Sequence, residues 1–141
     1  MRPTTRLLSI TAAAGVVVTL AALPALASGT SASVNGARLL ARGAAVSVTV
    51  TVTCDPYIDW SGNPQTSTPV TVTINEAVRH GVMTQGSASG TAACDSTPHR
   101  VTVLMVPAPL AFTRGSALIT VTPTFNSAIT PPALVRTVAI R

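Results

Sequence analysis

Ala45-Val-Ser-Val-Thr-Val-Thr-Val-Thr-Cys54 is the stretch that decides the fold. Val46, Val48, Val50, Val52 and Cys54 alternate with Ser47, Thr49, Thr51 and Thr53, so the apolar period is two throughout. Successive side chains of a strand point to opposite faces, which gives this segment one face for a core and one for water. Wound as a helix, the same valines would be spread around the whole circumference. The segment is a half-buried strand.

The pattern recurs on both sides of it. Val70, Val72 and Ile74 alternate with Thr71, Thr73 and Asn75, which predicts a second strand running to about Val78. Val82 to Cys94 reads as extended, with Gly86 and Gly90 marking a bulge or a handover between sheets. Arg100 to Val106 reads as a strand buried on both faces, followed by strands over Ala117 to Thr122 and Leu134 to Ile140. Upstream, Val34 to Leu40 is a short first strand interrupted by Asn35-Gly36. No window repeats apolar residues at three and four, so no helix is expected after residue 27.

Composition agrees with this reading. From residue 28 onward the chain holds 18 Thr and 15 Val, whose branched side chains lose rotamer freedom in a helix and fit a pleated sheet. Aromatic residues make up only 3% of the chain, so the core must be built from Val, Ile, Leu and Ala. About seven short strands at regular spacing predict an all-β domain, an immunoglobulin-like antiparallel sandwich, over residues 34–141.

The N-terminal segment predicts the compartment. Arg2 and Arg6 precede an apolar run from Leu7 to Leu20, Pro24 breaks it, and Ala25-Leu26-Ala27 offers a small-x-small cleavage site. Residues 1–27 read as a signal peptide, residues 28–33 as a flexible leader, and the remainder as one secreted, extracellular domain. If uncleaved, the same segment would be long enough to anchor the chain in a membrane. Export implies an oxidising environment, in which two cysteines form a disulfide when the fold lets them meet. If the strand ending at Cys54 runs up, the next runs down and the strand ending at Cys94 runs up again. Both cysteines then lie at one pole, and a Cys54–Cys94 bond is expected. Closing a loop of that length stabilises by about 4 kcal/mol on the chain-entropy argument.

A resemblance supports the reading. The step Ala37-Arg-Leu-Leu-Ala-Arg-Gly43 is followed by the Val/Thr strand ending in Cys54, and then by Gly86-Ser-Ala-Ser-Gly-Thr-Ala-Ala-Cys-Asp-Ser-Thr-Pro-His-Arg-Val-Thr-Val103. With Phe112-Thr-Arg-Gly-Ser-Ala117, this arrangement resembles small secreted actinobacterial proteins of immunoglobulin-like sandwich type, whose families carry no established function. The complete absence of Lys fits the codon usage of such high-GC genomes. Those families supply no active residues to carry over. Enediyne chromophore carriers and subtilisin-inhibitor proteins, two other secreted groups, are typically built around two disulfides, whereas this chain has two cysteines in all.

Little in the sequence points to catalysis, cofactor or metal chemistry. After residue 27 the acids and histidines are Asp55, Asp59, Glu76, Asp95, His80 and His99. Asp55 and Asp95 each follow a cysteine and are expected near one another as turn residues, accepting backbone hydrogen bonds. A Ser96–His99–Asp arrangement lacks nucleophile-elbow spacing, and two histidines without a third ligand do not make a metal site. The arginines at 38, 42, 79, 100, 114, 136 and 141 are scattered, without the aromatic-interleaved cluster of a nucleic-acid footprint. One segment stands apart: Cys54-Asp-Pro-Tyr-Ile-Asp-Trp-Ser-Gly-Asn-Pro-Gln65 holds the only Tyr and the only Trp. Tyr57, Asp59 and Trp60 are therefore the candidate recognition residues, aromatics on a disulfide-pinned loop. The alternative is that Trp60 folds back as a cap on the disulfide. The expected function is that of a non-catalytic binding or structural module for an extracellular protein, glycan or small molecule. The alternative is a small-ligand carrier with an end cleft lined by Trp60, Tyr57 and Phe112.

Overall fold

The computed structural model describes residues 29–127 and 133–141. The expected signal peptide, residues 1–27, lies outside the described residues.

Seven long strands form one sheet, and two short ones form a hairpin beside it. In chain order they are β1 (Ser31–Leu40), β2 (Ala45–Thr53), the short β3 (Tyr57–Ile58) and β4 (Pro64–Gln65), then β5 (Ser67–Ala77), β6 (Met83–Ala93), β7 (Pro98–Met105), β8 (Gly115–Pro123) and β9 (Leu134–Ile140). The large sheet has the order β6-β5-β8-β9-β1-β2-β7. Every neighbouring pair is antiparallel except β1 and β9, which run parallel. That seam is short. Ala37 pairs with Ile140, the Leu39 N–H donates to the Arg141 carbonyl at 2.7 Å, and the Arg141 N–H donates to the Ala37 carbonyl at 3.2 Å.

The fold is all-β and stapled by one disulfide, as the sequence predicts. Two separately bounded sheets are not what appears, because hydrogen bonding runs on through the seam and the sheet curls into a nearly closed barrel. Its two edge strands approach each other. At one end Gln85 in β6 and Ala108, just past β7, exchange N–H to carbonyl bonds of 3.0 and 2.9 Å.

Burial follows the predicted period. Val46, Val48, Val50 and Val52 are fully buried, as are Val70, Val72 and Ile74 on β5 and Ile119 and Val121 on β8. Phe112, from the connection between β7 and β8, fills one end of this aliphatic core. The two halves of the sheet meet across these side chains, and their removal from water is the main force holding the fold.

Three expectations are corrected. Ser31, Ala32 and Ser33, expected in a flexible leader, pair in register with Thr53, Val52 and Thr51 and so belong to β1. β7 is buried on one face only, with Val101, Val103 and Met105 inside while Leu104 is 58% exposed. Pro98 and His99, ahead of the expected start, also pair with Thr53 and Val52, which lengthens the strand. Gly86 and Gly90, expected to mark a bulge or a handover between sheets, mark no bulge, since β6 keeps unbroken register with β5 from Met83 to Ala93. These glycines instead allow close approach. A Cβ on Gly86 would lie 3.0 Å from the Val106 carbonyl oxygen, where β6 passes the end of β7. The irregularity falls in β1, where register shifts between Val34 and Gly36 and leaves Asn35 as the extra residue.

Candidate functional site

The β3–β4 hairpin leaves the pole at which the disulfide sits. Cys54 ends β2 and Cys94 follows β6, and their sulfurs are bonded at 2.10 Å with both residues fully buried. The strand-direction argument from the sequence is therefore sound. Two main-chain bonds tie the surrounding connections to this bridge, from the Cys94 N–H to the Thr66 carbonyl (2.8 Å) and from the Ser96 N–H to the Cys54 carbonyl (2.9 Å).

Asp59 organises the hairpin tip. Its Oδ1 accepts from the main-chain N–H groups of Ser61 and Asn63, both at 2.9 Å, and its Oδ2 accepts from Gln65 Nε2 at 2.9 Å. The Asp59 N–H donates to the Asn63 carbonyl and the Gly62 N–H to the Asp59 carbonyl, each at 3.0 Å. Gly62 takes the positive φ of 83° that closes this turn. The Asn63 N–H leads the donors that hold the Asp59 carboxyl below the usual carboxylate range. Asp59 thus staples the hairpin tip.

Tyr57 and Trp60 have opposite roles. The half-buried Tyr57 ring meets Phe125 edge to face with centroids 4.8 Å apart, and its hydroxyl donates to the Ser67 carbonyl at 3.3 Å. It anchors the hairpin to the domain. Trp60 is held by its main chain, whose N–H donates to the Asn126 carbonyl at 3.0 Å, while the residue as a whole is 70% exposed. It does not cap the disulfide. Its neighbour Ile58 is 58% exposed, so two large apolar side chains face water on a stapled hairpin. Phe112 is buried at the opposite pole, where its N–H donates to the Gly43 carbonyl. The cleft imagined between Trp60, Tyr57 and Phe112 is therefore not formed.

The titratable groups near the disulfide are occupied with turn chemistry. Asp55 Oδ1 accepts from the Ser96 hydroxyl at 2.6 Å, whereas Asp95 Oδ1 contacts the Thr97 hydroxyl (2.6 Å), the Thr97 N–H (3.0 Å) and His99 Nε2 (2.8 Å). The Thr97 hydroxyl, and after it His99, pull the Asp95 carboxyl from 3.8 down to about 2. Ser96 and His99 thus serve different aspartates, and no Ser–His–Asp relay is assembled. The His80 side chain lies outside what is described. Among the described residues no three His, Cys, Asp or Glu side chains are grouped to hold a metal ion, and no helix is long and apolar enough to cross a membrane.

One feature is invisible along the chain. Arg38, Arg100 and Arg141, far apart in sequence, line a single open groove on the outer face of β1, β2 and β7. The signal that finds it is strand register, which sets Arg38 opposite Ser47 and Arg100 opposite Thr51. Compared with protein-family models, curated proteins and solved structures, the chain has no significant match in any of the three.

Proposed function

We propose that this chain is a secreted, non-catalytic binding module of immunoglobulin-like type, engaging an extracellular protein or glycan through the tip of its β3–β4 hairpin. The observation that carries the reading is the 70% exposure of Trp60. A protein with one Trp, one Tyr and a core of small aliphatics gains nothing in stability from holding that Trp in water. Aromatic anchors on pre-ordered loops commonly dominate binding energy, because their large contact area costs little entropy. The Asp59 bonds and the Tyr57–Phe125 contact supply the pre-ordering. The non-catalytic part of the reading is supported by the acids themselves. Asp55, Asp59, Glu76 and Asp95 each accept hydrogen bonds that shape a turn or hold a connection.

Strand order supports kinship with immunoglobulin-like sandwiches, and with the small actinobacterial proteins that the sequence resembles. Divided at the β1/β9 seam, the sheet gives β7-β2-β1 and β9-β8-β5-β6. The connections β2 to β5, β6 to β7 and β7 to β8 each cross from one group to the other. A three-and-four division with such crossings is the immunoglobulin-like plan. Here the fourth long strand pairs with the third, where the constant-type arrangement pairs it with the fifth. The disulfide and the signal-like N-terminal sequence support export.

The test is binding to a glycan array and to partners cross-linked at the surface of the producing cells, with wild type and Trp60→Ala compared side by side. Retention by wild type that falls at least tenfold in Trp60→Ala, at unchanged melting temperature, is expected. Retention indifferent to Trp60 overturns the assignment of the hairpin.

A further inference from the structure

We propose that the groove on the outer face of β1, β2 and β7 binds a phosphate- or sulfate-type oxyanion carried on a larger extracellular ligand. The groove is open, measures about 770 Å³, and is lined by Arg38, Arg100 and Arg141 together with Asn35, Ser47 and Thr49. No carboxylate side chain lines it. The one contact within 4 Å between a basic side chain and an acid among the described residues joins His99 and Asp95, so none of the three guanidinium groups has an acid within ion-pairing distance.

The floor is shaped for a ligand. Gly36 lies in it, and a Cβ there would meet no atom within 4 Å, so the absent side chain leaves room that the fold does not use. The β1 bulge sits beside it, and bulges commonly re-aim side chains at functional sites. The extra residue, Asn35, accepts the Thr51 hydroxyl at 2.8 Å through Oδ1, which leaves its amide hydrogens for another acceptor. The Thr49 and Thr102 hydroxyls are bonded to each other at 3.1 Å, so the donor surface is ordered across β2 and β7.

The donor set selects the anion. Each guanidinium presents five N–H groups in a rigid fork that matches oxyanions bidentately. Phosphate and sulfate groups repeated along a larger ligand can each meet one of these forks, whereas a single carboxylate cannot serve arginines spread along a groove. The groove is open and, at about 770 Å³, leaves room for a larger molecule that carries the oxyanion. No aromatic side chain lines the groove, which disfavours a nucleic acid read by base stacking. This site is separate from the hairpin and stands without it.

Calorimetric titration of the secreted protein with inorganic triphosphate and, separately, a highly sulfated glycan tests the proposal at physiological salt. Binding of either probe supports the oxyanion chemistry, and the tighter of the two names its source. Arg38→Ala and Arg100→Ala should each weaken binding about tenfold, the scale of a charge-assisted hydrogen bond. Gly36→Glu should abolish it while the protein melts as wild type. Arg114→Ala, which removes the same charge elsewhere, and Trp60→Ala should both bind as wild type. Failure to bind either probe overturns the site. So does an Arg114→Ala loss equal to that of the groove arginines, or duplex DNA binding as tightly as either probe.

Discussion

A Cβ built on Gly90 of β6 would stand 2.5 Å from Cγ1 of Val101 on β7, closer than two carbon atoms can pack. The inner face of β6 explains the contact, since it carries Thr84, Gly86, Ala88, Gly90 and Ala92, all small. The valines of β7 fill the space these residues leave, and the sheet curls until its two edges almost meet. Gly90→Ala should therefore cost about 1–3 kcal/mol through overpacking, read as a lower urea midpoint at unchanged slope. Gly36→Ala, on the open outer face, should be neutral or stabilising by about 0.4–1 kcal/mol. Equal effects at the two positions would contradict this account of closure.

The disulfide should dominate stability among single features. Replacing Cys54 and Cys94 together by Ala should lower stability by about 4 kcal/mol, because the unfolded chain regains the freedom of a 40-residue loop. Native protein should show no reactive thiol until it is reduced. Two thiols titrating before reduction would mean that the pole is assembled differently.

Glu76 is a buried acid with a structural task. It is 2% exposed on β5, and its carboxylate accepts the Thr113 hydroxyl at 2.6 Å and the Thr113 N–H at 3.0 Å, fixing the connection that carries Phe112 into the core. Glu76→Ala should cost about 3 kcal/mol, the scale for losing two hydrogen bonds together with the packing of a buried side chain. Thr113→Val removes the hydroxyl and leaves the N–H bond, so it should cost about half as much. Thermal or urea unfolding of the pair checks both.

Acid sensitivity should show Asp95. Its carboxyl is depressed from 3.8 to about 2, so the folded state favours the ionised form. That contribution is complete above the unfolded value and is lost as pH falls through the folded one. Stability should therefore decline between about pH 4 and pH 2, and Asp95→Asn should flatten that limb. Carbon-detected NMR of the carboxyl should give a midpoint near 2, and a midpoint near 4 would contradict the Thr97 and His99 contacts.

What was legible in the sequence depended on how local its cause is. The Val46 to Cys54 alternation is a property of one strand and reads correctly without its neighbours. The disulfide follows from strand directions together with the oxidising environment that a signal-like N-terminal sequence implies. The role of Gly90 does not, because it depends on Val101 approaching from the far edge of the sheet. Ser31 to Ser33 look like a leader until Thr51 to Thr53 offer a partner, and small polar side chains do not announce pairing. Arg38, Arg100 and Arg141 come to line one groove only through register and a parallel seam. At the hairpin, the residues were legible as a group, but their division of labour was not. Asp59 as staple, Tyr57 as anchor and Trp60 as exposed face follow from bonds to Asn63, Ser67 and Asn126.

Trp60 faces water on an ordered hairpin, and because it is the chain's single Trp this placement can be tested directly. Steady-state emission of the native protein, with acrylamide quenching, is the measurement. A red-shifted maximum close to that of the unfolded chain, efficient quenching, and a melting temperature unchanged in Trp60→Ala are expected. A blue-shifted, protected emission, with a loss of about 3–5 kcal/mol on truncation as for buried aromatics, would contradict that placement and return the hairpin to a purely structural role.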